Sequence, residues 1–499
     1  MFAMANPGNA EEFDVVVVGG ASAAFSAAIS ARQHGAERVL MLEKAAEPDM
    51  GGNARYSHTG FRFVQSGKDE ICEFLDVTDE ERDHMEIPAY TKEDFFGDLE
   101  RVTRGRINTE LARVLVDESN AAVHWMKDTG IKWEATHFTV IDGIKYFGMG
   151  HVLNPLGGGI GQVRQWREIA DRMGGVDFRW ESSVVGLIGT DRRIRGVSVS
   201  SPDGTYDVEA KSVILCAGGF QANAAMRAQY LPQGGDLFKV RGSYHNTGEV
   251  LRAALELGAR PAGHWAGAHA SPIGGDAPEV GVTNDYIRYS YRYGITVNTL
   301  GLRFFDEGEA NPAFTYAKTG WAVQNQPGSV AYQIFDQKAI PLLDRQYANQ
   351  TPVEATTISE LAMALKLPLP VVRRTVDEYN AAIKDDVAFD PTHTRGDGRS
   401  TYGLEPPKSN WAVSIDEPPY RAYEVTGGIT FTFGGLDIDT SARVLNTRRQ
   451  PIEGLFASGD IVGLFFHNYP ACSGQTRNAV FGRIAGEGAA TGEPARAAI

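Results

Sequence analysis

The chain has 499 residues, of which 48 are basic and 63 acidic, so its formal net charge is −15 at pH 7. This balance provides no positive field for a nucleic acid or an anionic membrane, and the length favours two domains over a single core. The sequence has no apolar run of membrane-spanning length, no secretory signal and no paired cysteine spacing, which predicts a cytoplasmic protein, not transmembrane, without a metal centre.

The first predicted elements form a βαβ unit. Residues 13–18 are rich in valine, which is typical of a strand buried on both faces of a parallel sheet, and residues 21–35 have the apolar spacing of a helix. Residues 38–43 predict a second strand that ends in Glu43. An acid at this place can accept hydrogen bonds from an adenosine ribose.

The loop between the first strand and its helix has the small residues that a phosphate site requires. A pyrophosphate binds at a helix N-terminus only where side chains leave the backbone amides open. Of the three usual glycines only Gly19 is present, and Ala21 and Ala24 occupy the other two positions. Taken alone, this hexapeptide fits a strand–turn–helix unit without a ligand equally well.

Three further segments with small residues follow in the chain. Residues 51–53 read Gly-Gly-Asn, and residues 213–220 and 454–460 are each predicted as a buried strand that ends in a turn. All four segments in this order resemble the FAD domain of the fumarate reductase and succinate dehydrogenase flavoprotein superfamily. The resemblance implies FAD contacts from the following residues: Gly19, Gly20, Ala21, Ser22, Ala23, Glu43, Lys44, Gly51, Gly52, Asn53, Val184, Ala217, Gly218, Asp460, Ser473 and Gly474.

The same resemblance implies an α/β fold with two parts. Residues 1–268 and 425–499 are expected to form a Rossmann-type FAD-binding domain in two segments, and residues 269–424 an inserted α+β capping domain that closes over the flavin. His58 follows the Gly-Gly-Asn segment, but its spacing from Asn53 differs from that of the histidine that carries covalent FAD in succinate dehydrogenases. We therefore expect non-covalent FAD.

Oxidation or reduction of a carbon–carbon bond needs a hydride carrier, which the flavin supplies, and a proton carrier from the protein. Residues 298–307 match the family pattern in which a capping-domain arginine moves the proton, which implies that Arg303 is catalytic. Without the family, Arg303 would be interpreted as a surface ion pair with Asp306 or Glu307. His269 matches the family histidine that holds a substrate carboxylate, although a lone histidine is more often structural.

The C-terminal part departs from the fumarate reductases. Phe431 occupies the position of their second histidine, and residues 466–475 lack their carboxylate-binding arginine. Two carboxylate ligands of that family are therefore missing here.

The segment around Tyr469 resembles instead tricarballylate dehydrogenase and the 3-ketosteroid dehydrogenases. The resemblance implies that Tyr469 is catalytic, and a packed aromatic residue is the alternative. We expect His467 and Phe431 to contact the substrate, and Arg477 to replace a missing carboxylate ligand, because a guanidinium binds a carboxylate through two parallel hydrogen bonds.

These features predict an FAD-dependent oxidoreductase that acts on a CH–CH bond of a small carboxylated substrate, such as tricarballylate or a fumarate-like acid, and tricarballylate dehydrogenase is the nearest resemblance. A ketosteroid-type 1,2-dehydrogenase is the alternative. It is favoured by these aromatic residues: Tyr286, Tyr289, Tyr291, Phe431, Phe433 and Tyr469. A third interpretation is a flavoprotein electron-transfer subunit, because electrons must pass to oxygen, a quinone or a separate protein.

Overall fold

The structure is a computed structural model that describes residues 12–57, 60–148, 150–384, 386–393 and 395–493. His58, which was weighed for a covalent flavin link, lies outside the described residues. In chain order the β-strands are β1 (Glu12–Val18), β2 (Val39–Leu42), β3 (Met85–Glu86), β4 (Trp133–Ala135), β5 (Phe138–Ile141), β6 (Ile144–Phe147), β7 (Leu153–Pro155), β8 (Val176–Arg179), β9 (Ser183–Thr190), β10 (Arg193–Ser201), β11 (Gly204–Leu215), β12 (Lys239–Val240), β13 (Pro261–Gly274), β14 (Ile295–Asn298), β15 (Val330–Phe335), β16 (Val353–Ala355), β17 (Tyr420–Leu436), β18 (Arg443–Leu445) and β19 (Pro451–Ala457). The α-helices are α1 (Ser22–Gln33), α2 (Lys68–Cys72), α3 (Asp79–Asp83), α4 (Lys92–Thr103), α5 (Thr109–Thr129), α6 (Gly158–Met173), α7 (Ala224–Tyr230), α8 (Glu249–Leu257), α9 (Pro312–Gln324), α10 (Ile358–Ala364), α11 (Leu369–Ala382) and α12 (Ser473–Thr491).

The larger sheet has a parallel centre in the order β8–β2–β1–β11–β19. Strand β2 is wholly buried and β1 nearly so, as expected for strands that are covered on both faces. Strands β9 and β10 form a hairpin on the first half of β11, and β18 pairs antiparallel with β19. The βαβ unit predicted near the N-terminus is confirmed, with α1 between β1 and β2.

Helices α1 and α12 lie against each other over this sheet and run parallel. A Cβ atom on Gly482 would come within 2.7 Å of the Ser26 Cβ, and one on Gly486 within 2.3 Å of the Ala27 carbonyl oxygen. Only glycine permits such a close approach. The first turns of α1 therefore pack against the middle of α12, and the N-terminus of α12 extends beyond that of α1.

A second sheet is built on the long strands β13 and β17, which pair antiparallel along most of their length. Strand β17 also pairs with β12, β15 and β16, and β15 pairs with β14. The predicted domain boundaries, at residues 268/269 and 424/425, fall inside β13 and β17. The two predicted parts are thus joined by a continuous two-stranded ribbon rather than by loops, and the domain division itself stays a prediction.

Residues 275–419, which we call the capping lobe, carry a hydrophobic cluster of their own. Ile334, Leu361 and Val372 lie near its centre, whereas the main cluster extends along the larger sheet from Phe13 to Ala489. Within the described ranges, no helix is long and apolar enough to cross a membrane.

Candidate active site

A cavity of about 420 Å³ lies between the larger sheet and the capping lobe. Its walls combine loop residues at the carboxyl ends of the parallel strands with aromatic and polar residues of β13, β17 and the capping lobe. Residues used below are Ala21, Ala23, Gly52, Asn53, Gly218, Arg241, Asn246, His269, Tyr289, Arg292, Tyr316, Asp344, Phe431, Asp460, Tyr469, Cys472, Gly474 and Gln475.

A smaller cavity of about 60 Å³ continues from the same loops past the ends of β1 and β2. Both cavities are lined by Ala21, Gly52, Cys216, Gly218 and Asn246. Together they form one extended channel at the carboxyl edge of the sheet, where ligands of open α/β sheets bind.

Most of the residues predicted to hold FAD line this channel. The smaller cavity is lined by Gly19, Gly20, Ala21, Glu43, Lys44, Gly52, Val184, Ala217 and Gly218, and the larger by Ala21, Ala23, Gly52, Asn53, Gly218, Asp460 and Gly474.

Ser22, Gly51 and Ser473 line neither cavity. The Ser22 hydroxyl accepts a hydrogen bond from Gln162 at 3.2 Å, and the Ser473 hydroxyl donates to the Pro470 carbonyl at 2.7 Å. Gly51 has a φ of 111° and shapes the turn from behind the wall. The side chains of Ser22 and Ser473 and the backbone conformation of Gly51 therefore support the loops.

The channel fits a dinucleotide with a ribose against Glu43. Burial raises the pKa of the Glu43 carboxyl, although the Ala45 backbone N–H donates to it at 2.7 Å. A Cβ atom on Gly20 would come within 2.6 Å of a Glu43 oxygen, so the phosphate loop and the acid can meet only because residue 20 is glycine.

The other end of the channel has a helix N-terminus that is open to it. Gly474 and Gln475 in the first turn of α12 line the larger cavity, and the buried Gln475 Oε1 has no hydrogen-bond partner among the described residues. A helix N-terminus attracts negative partial charge, and an unpaired amide oxygen calls for a donor. Both features suit the polar edge of a flavin ring.

Two tyrosines share a hydrogen bond inside the larger cavity. The Tyr316 and Tyr469 hydroxyl oxygens lie 2.5 Å apart, and nearby Tyr289 donates its own hydroxyl to Ser271 at 3.0 Å. Burial raises the pKa of Tyr316 and Tyr469 above the ordinary phenol value. Both phenols are therefore protonated over the physiological range, and one hydroxyl of the pair keeps a proton that it can donate into the cavity.

His269 lies beside this pair and is only 1% exposed. Its ring stacks on Phe431 with centroids 5.2 Å apart, and its Nδ1 has no hydrogen-bond partner in the protein. Burial, and then the Arg241 charge, lower its pKa well below the usual histidine value. His269 is thus a neutral hydrogen-bonding group at physiological pH.

Arg241 also lines the cavity and was not identified from the sequence. Its guanidinium donates to the Thr430 hydroxyl at 2.9 Å and to the Asn284 side chain, and its buried Nε has no partner. No nearby motif marks this arginine in the sequence, because its neighbours in space come from distant segments.

A β-bulge in the ribbon positions these groups. His269 pairs with Phe431 and Ala270 pairs with Ile429, so Thr430 is an extra residue in β17 between these two pairs. A bulge leaves backbone groups outside the ladder and redirects side chains. The Thr430 carbonyl accepts from Asn53 in the predicted flavin loop, and its hydroxyl accepts from Arg241.

Arg303, the predicted proton carrier, lies inside the capping lobe and does not line the cavity. Its Nε donates to Glu307 at 3.1 Å, and other N–H groups donate to the Pro406 and Pro407 carbonyls at 2.8 and 3.2 Å. Burial alone would lower the pKa of Arg303, but Glu307 raises it. The geometry corrects the assignment in one respect: this is an internal ion pair, and we do not assign the proton transfer to it.

Arg477 and His467 also lie outside the cavity. Arg477 is 1% exposed, is paired with Asp460 and packs behind Phe431, with its guanidinium 5.6 Å from the ring centroid. His467 lines a separate groove, where its backbone N–H donates to His264 at 3.1 Å. Neither residue is placed to contact a substrate in the central cavity, unlike the predicted Phe431 and Tyr469.

A family model described as FAD binding domain matches residues 14–476. The chain is 30% identical over 502 residues to a protein named probable fumarate reductase Ifc3, from Shewanella frigidimarina (strain NCIMB 400), and the match covers 97% of this chain and 76% of that protein.

Two solved structures extend the comparison. The open conformation of a flavocytochrome c3 fumarate reductase is similar with a TM-score of 0.71 and 27% identity, over 97% of this chain and 78% of that one. The 3-ketosteroid delta1-dehydrogenase from Sterolibacterium denitrificans, in complex with 1,4-androstadiene-3,17-dione, is similar with a TM-score of 0.74 and 20% identity, over 97% of this chain and 100% of that one. The second likeness concerns the fold alone.

Proposed function

The chain belongs to the FAD binding domain family and is an FAD-dependent oxidoreductase, and we propose that it acts on a carbon–carbon bond next to a carboxyl group of a small acid. The cofactor, when bound, supplies hydride transfer. The protein has to orient the acid, keep water out and hold the proton that accompanies the hydride.

The hydroxyl pair of Tyr316 and Tyr469 is the observation that carries this proposal. A protonated phenol can pass its proton to a neighbouring carbon. When it is hydrogen-bonded to a second phenol, it can be reprotonated through that partner. The pair lies in the same cavity as the loop residues that fit FAD. In reduction, Tyr469 would give its proton to the carbon, and the pair would regain a proton from water through Tyr316. In dehydrogenation the same step runs in reverse, with the tyrosinate form of Tyr469 as the acceptor.

We propose a short acid, such as tricarballylate or a fumarate-like acid, as the substrate. It would share the cavity of about 420 Å³ with the isoalloxazine ring. The relative at 30% identity is named a probable fumarate reductase, which supports an acid of this class.

A cyclic ketone is the second candidate, favoured by one observation. Phe431 and Tyr289 make the wall around the hydroxyl pair aromatic, and phenol hydroxyls are suitable donors to a ketone oxygen. The 3-ketosteroid delta1-dehydrogenase named above has a similar fold. The electron partner and the cellular location stay predictions.

Anaerobic titration of the purified flavoprotein tests the proposal. We expect acid precipitation to release FAD into the supernatant, as non-covalent binding requires. Tricarballylate or succinate should bleach the oxidised flavin, or fumarate should reoxidise the chemically reduced flavin. A response to a cyclic ketone alone would replace the acid with the second candidate, and a flavin that responds to none of these compounds would contradict the proposal.

A further inference from the structure

Arg241 is a buried cation without an anionic partner. It is 8% exposed, and its hydrogen bonds go to the neutral side chains of Thr430 and Asn284. Within the described residues no carboxylate pairs with it, and its Nε lacks a partner of any kind. A buried charge is costly unless it is paired, so a site of this kind is complete only with an anion.

Other buried arginines of the chain are compensated. Arg62, Arg303 and Arg477 each pair with a carboxylate, from Asp98, Glu307 and Asp460 respectively.

Arg227 and Arg288 have no carboxylate partner among the described residues, but they make four and three hydrogen bonds, mostly to backbone carbonyls, although one Arg288 nitrogen, Nη2, is also unpartnered there. Neither of them lines the cavity. Arg241 therefore differs from these five in combining an unbalanced charge with a place on the cavity wall.

The position of Arg241 is next to the reacting groups. Its charge is close enough to lower the pKa of His269 and to oppose the rise in the pKa of Tyr289 and Tyr469. His269 itself is neutral and cannot balance a negative charge. Arg292, a second arginine on the wall, differs from Arg241 in that its guanidinium lies over the rings of Tyr293 and Trp411, at 4.5 and 5.0 Å from their centroids.

We propose that Arg241 binds a carboxylate of the substrate through its guanidinium and thereby selects an acid over a neutral carbonyl compound. This inference rests on the proposed function. A guanidinium suits a carboxylate because it offers two parallel N–H donors and a permanent charge. Thr430 in the bulge and the side chain of Asn284 already hold the guanidinium in place. Binding therefore costs little further side-chain entropy.

One other anion has the same chemistry, namely the negatively polarised edge of the flavin. The two sources differ in what they predict. If the Arg241 charge binds the flavin, its removal changes FAD retention and the flavin reduction potential whatever the substrate. If it binds the substrate, its removal weakens the binding of acids and leaves the binding of their uncharged analogues unchanged.

The experiment uses the FAD-loaded protein and two probes, succinate and its uncharged diamide, succinamide. Flavin difference spectra give the Kd of each for wild type, Arg241→Gln and Arg241→Lys, and for Arg288→Gln as a matched buried arginine outside the cavity. We expect Arg241→Gln to raise the Kd of succinate by about tenfold to a hundredfold, the range for hydrogen bonds to charged groups, and to leave the Kd of succinamide unchanged. Arg241→Lys should fall between wild type and Gln, and Arg288→Gln should leave the succinate to succinamide ratio at the wild-type value.

Three outcomes would overturn the inference. The ratio of the succinate Kd to the succinamide Kd could stay at its wild-type value in Arg241→Gln. FAD content and midpoint potential could also change while this ratio stays the same, which would assign the charge to the flavin. If Arg241→Gln does not fold, a wild-type ratio in Arg241→Lys contradicts the inference, because lysine lacks the planar fork. Failure of the proposed function is distinguishable, since wild type would then respond to no acid at all.

Discussion

The Arg303–Glu307 pair inside the capping lobe and the polar groups Arg241 and His269 on the wall of the cavity are all buried, but they differ in their partners. In the lobe, Arg303 has its carboxylate partner and two backbone carbonyls, and Glu307 also accepts from the Thr296 backbone N–H at 2.8 Å. On the wall, Arg241 has no anion and His269 has a nitrogen without a partner.

This contrast separates two uses of buried polarity. A group that is satisfied inside the protein contributes to folding, and breaking it costs stability. A group that is buried and unsatisfied costs stability by itself, and is tolerable where a ligand completes it. Variants in the two regions should therefore differ in kind: lobe variants change the free energy of unfolding, and wall variants change binding and turnover.

The largest effect is expected from Tyr469→Phe on the wall. It removes the hydroxyl that holds the proton and keeps the packed ring, so kcat should fall by about two to four decades with little change in thermal stability. Stopped-flow measurement of flavin reduction or reoxidation gives the rate. The matched control is Tyr291→Phe, a buried tyrosine whose hydroxyl bonds Thr315 at 2.6 Å outside the cavity, and an equal loss there would remove the special role of Tyr469.

Arg303→Met should have the next largest effect, and only on stability. It leaves Glu307 charged and buried, so the free energy of unfolding should fall by about 3–5 kcal/mol in a denaturant titration. The double variant Arg303→Met/Glu307→Leu should recover much of this loss, since it removes both charges together. A fall in kcat of two decades or more in folded Arg303→Met would instead restore Arg303 as the proton carrier that its sequence motif implies.

His269→Ala should have a smaller effect, confined to substrate binding. The neutral imidazole offers one hydrogen bond that ground and transition states share, so KM should rise by about tenfold with kcat nearly unchanged. Steady-state kinetics with the accepted acid measure both constants. A fall in kcat larger than the rise in KM would place His269 in the proton transfer itself.

The pH dependence of stability should show the smallest effect. Because the pKa of His269 is lowered from 6.5 by burial, the unfolded chain binds its proton first as the pH falls below about 6.5. His269 therefore destabilises the fold progressively below that pH, and contributes no change above it. Thermal unfolding of wild type and His269→Asn between about pH 5 and 8 measures this; parallel curves for the two proteins would contradict a lowered pKa.

Local sequence patterns predicted the larger sheet and the cofactor channel. The strand β1, the loop at Gly19 to Ala21 and the acid at Glu43 are close in sequence, so periodicity and small residues were sufficient to place them. The cavity wall could not be predicted in this way. Arg241 after β12, Tyr316 on α9 and Tyr469 before α12 line one cavity only because the fold brings together segments that are far apart in the chain.

Arg303 illustrates the opposite error. Its motif matched the family residue by residue, but a motif fixes only neighbours in sequence, whereas partners such as Pro406 and the orientation of the side chain are set by the whole lobe. Tyr289, which the sequence offered only in support of the ketone alternative, does line the cavity, while Tyr291 does not.

The paired strands β13 and β17 also determine how the two parts of the molecule can move. A ladder of backbone hydrogen bonds resists sliding and stretching of one strand past the other, but a two-stranded ribbon twists and flexes with little resistance, above all at its bulges. The bulges on both strands lie next to His269 and Thr430. The regular ladder is therefore interrupted at the cavity wall itself, and because α9 packs against the same two strands, a change in the twist of the ribbon would alter the spacing of Tyr316 and His269 together.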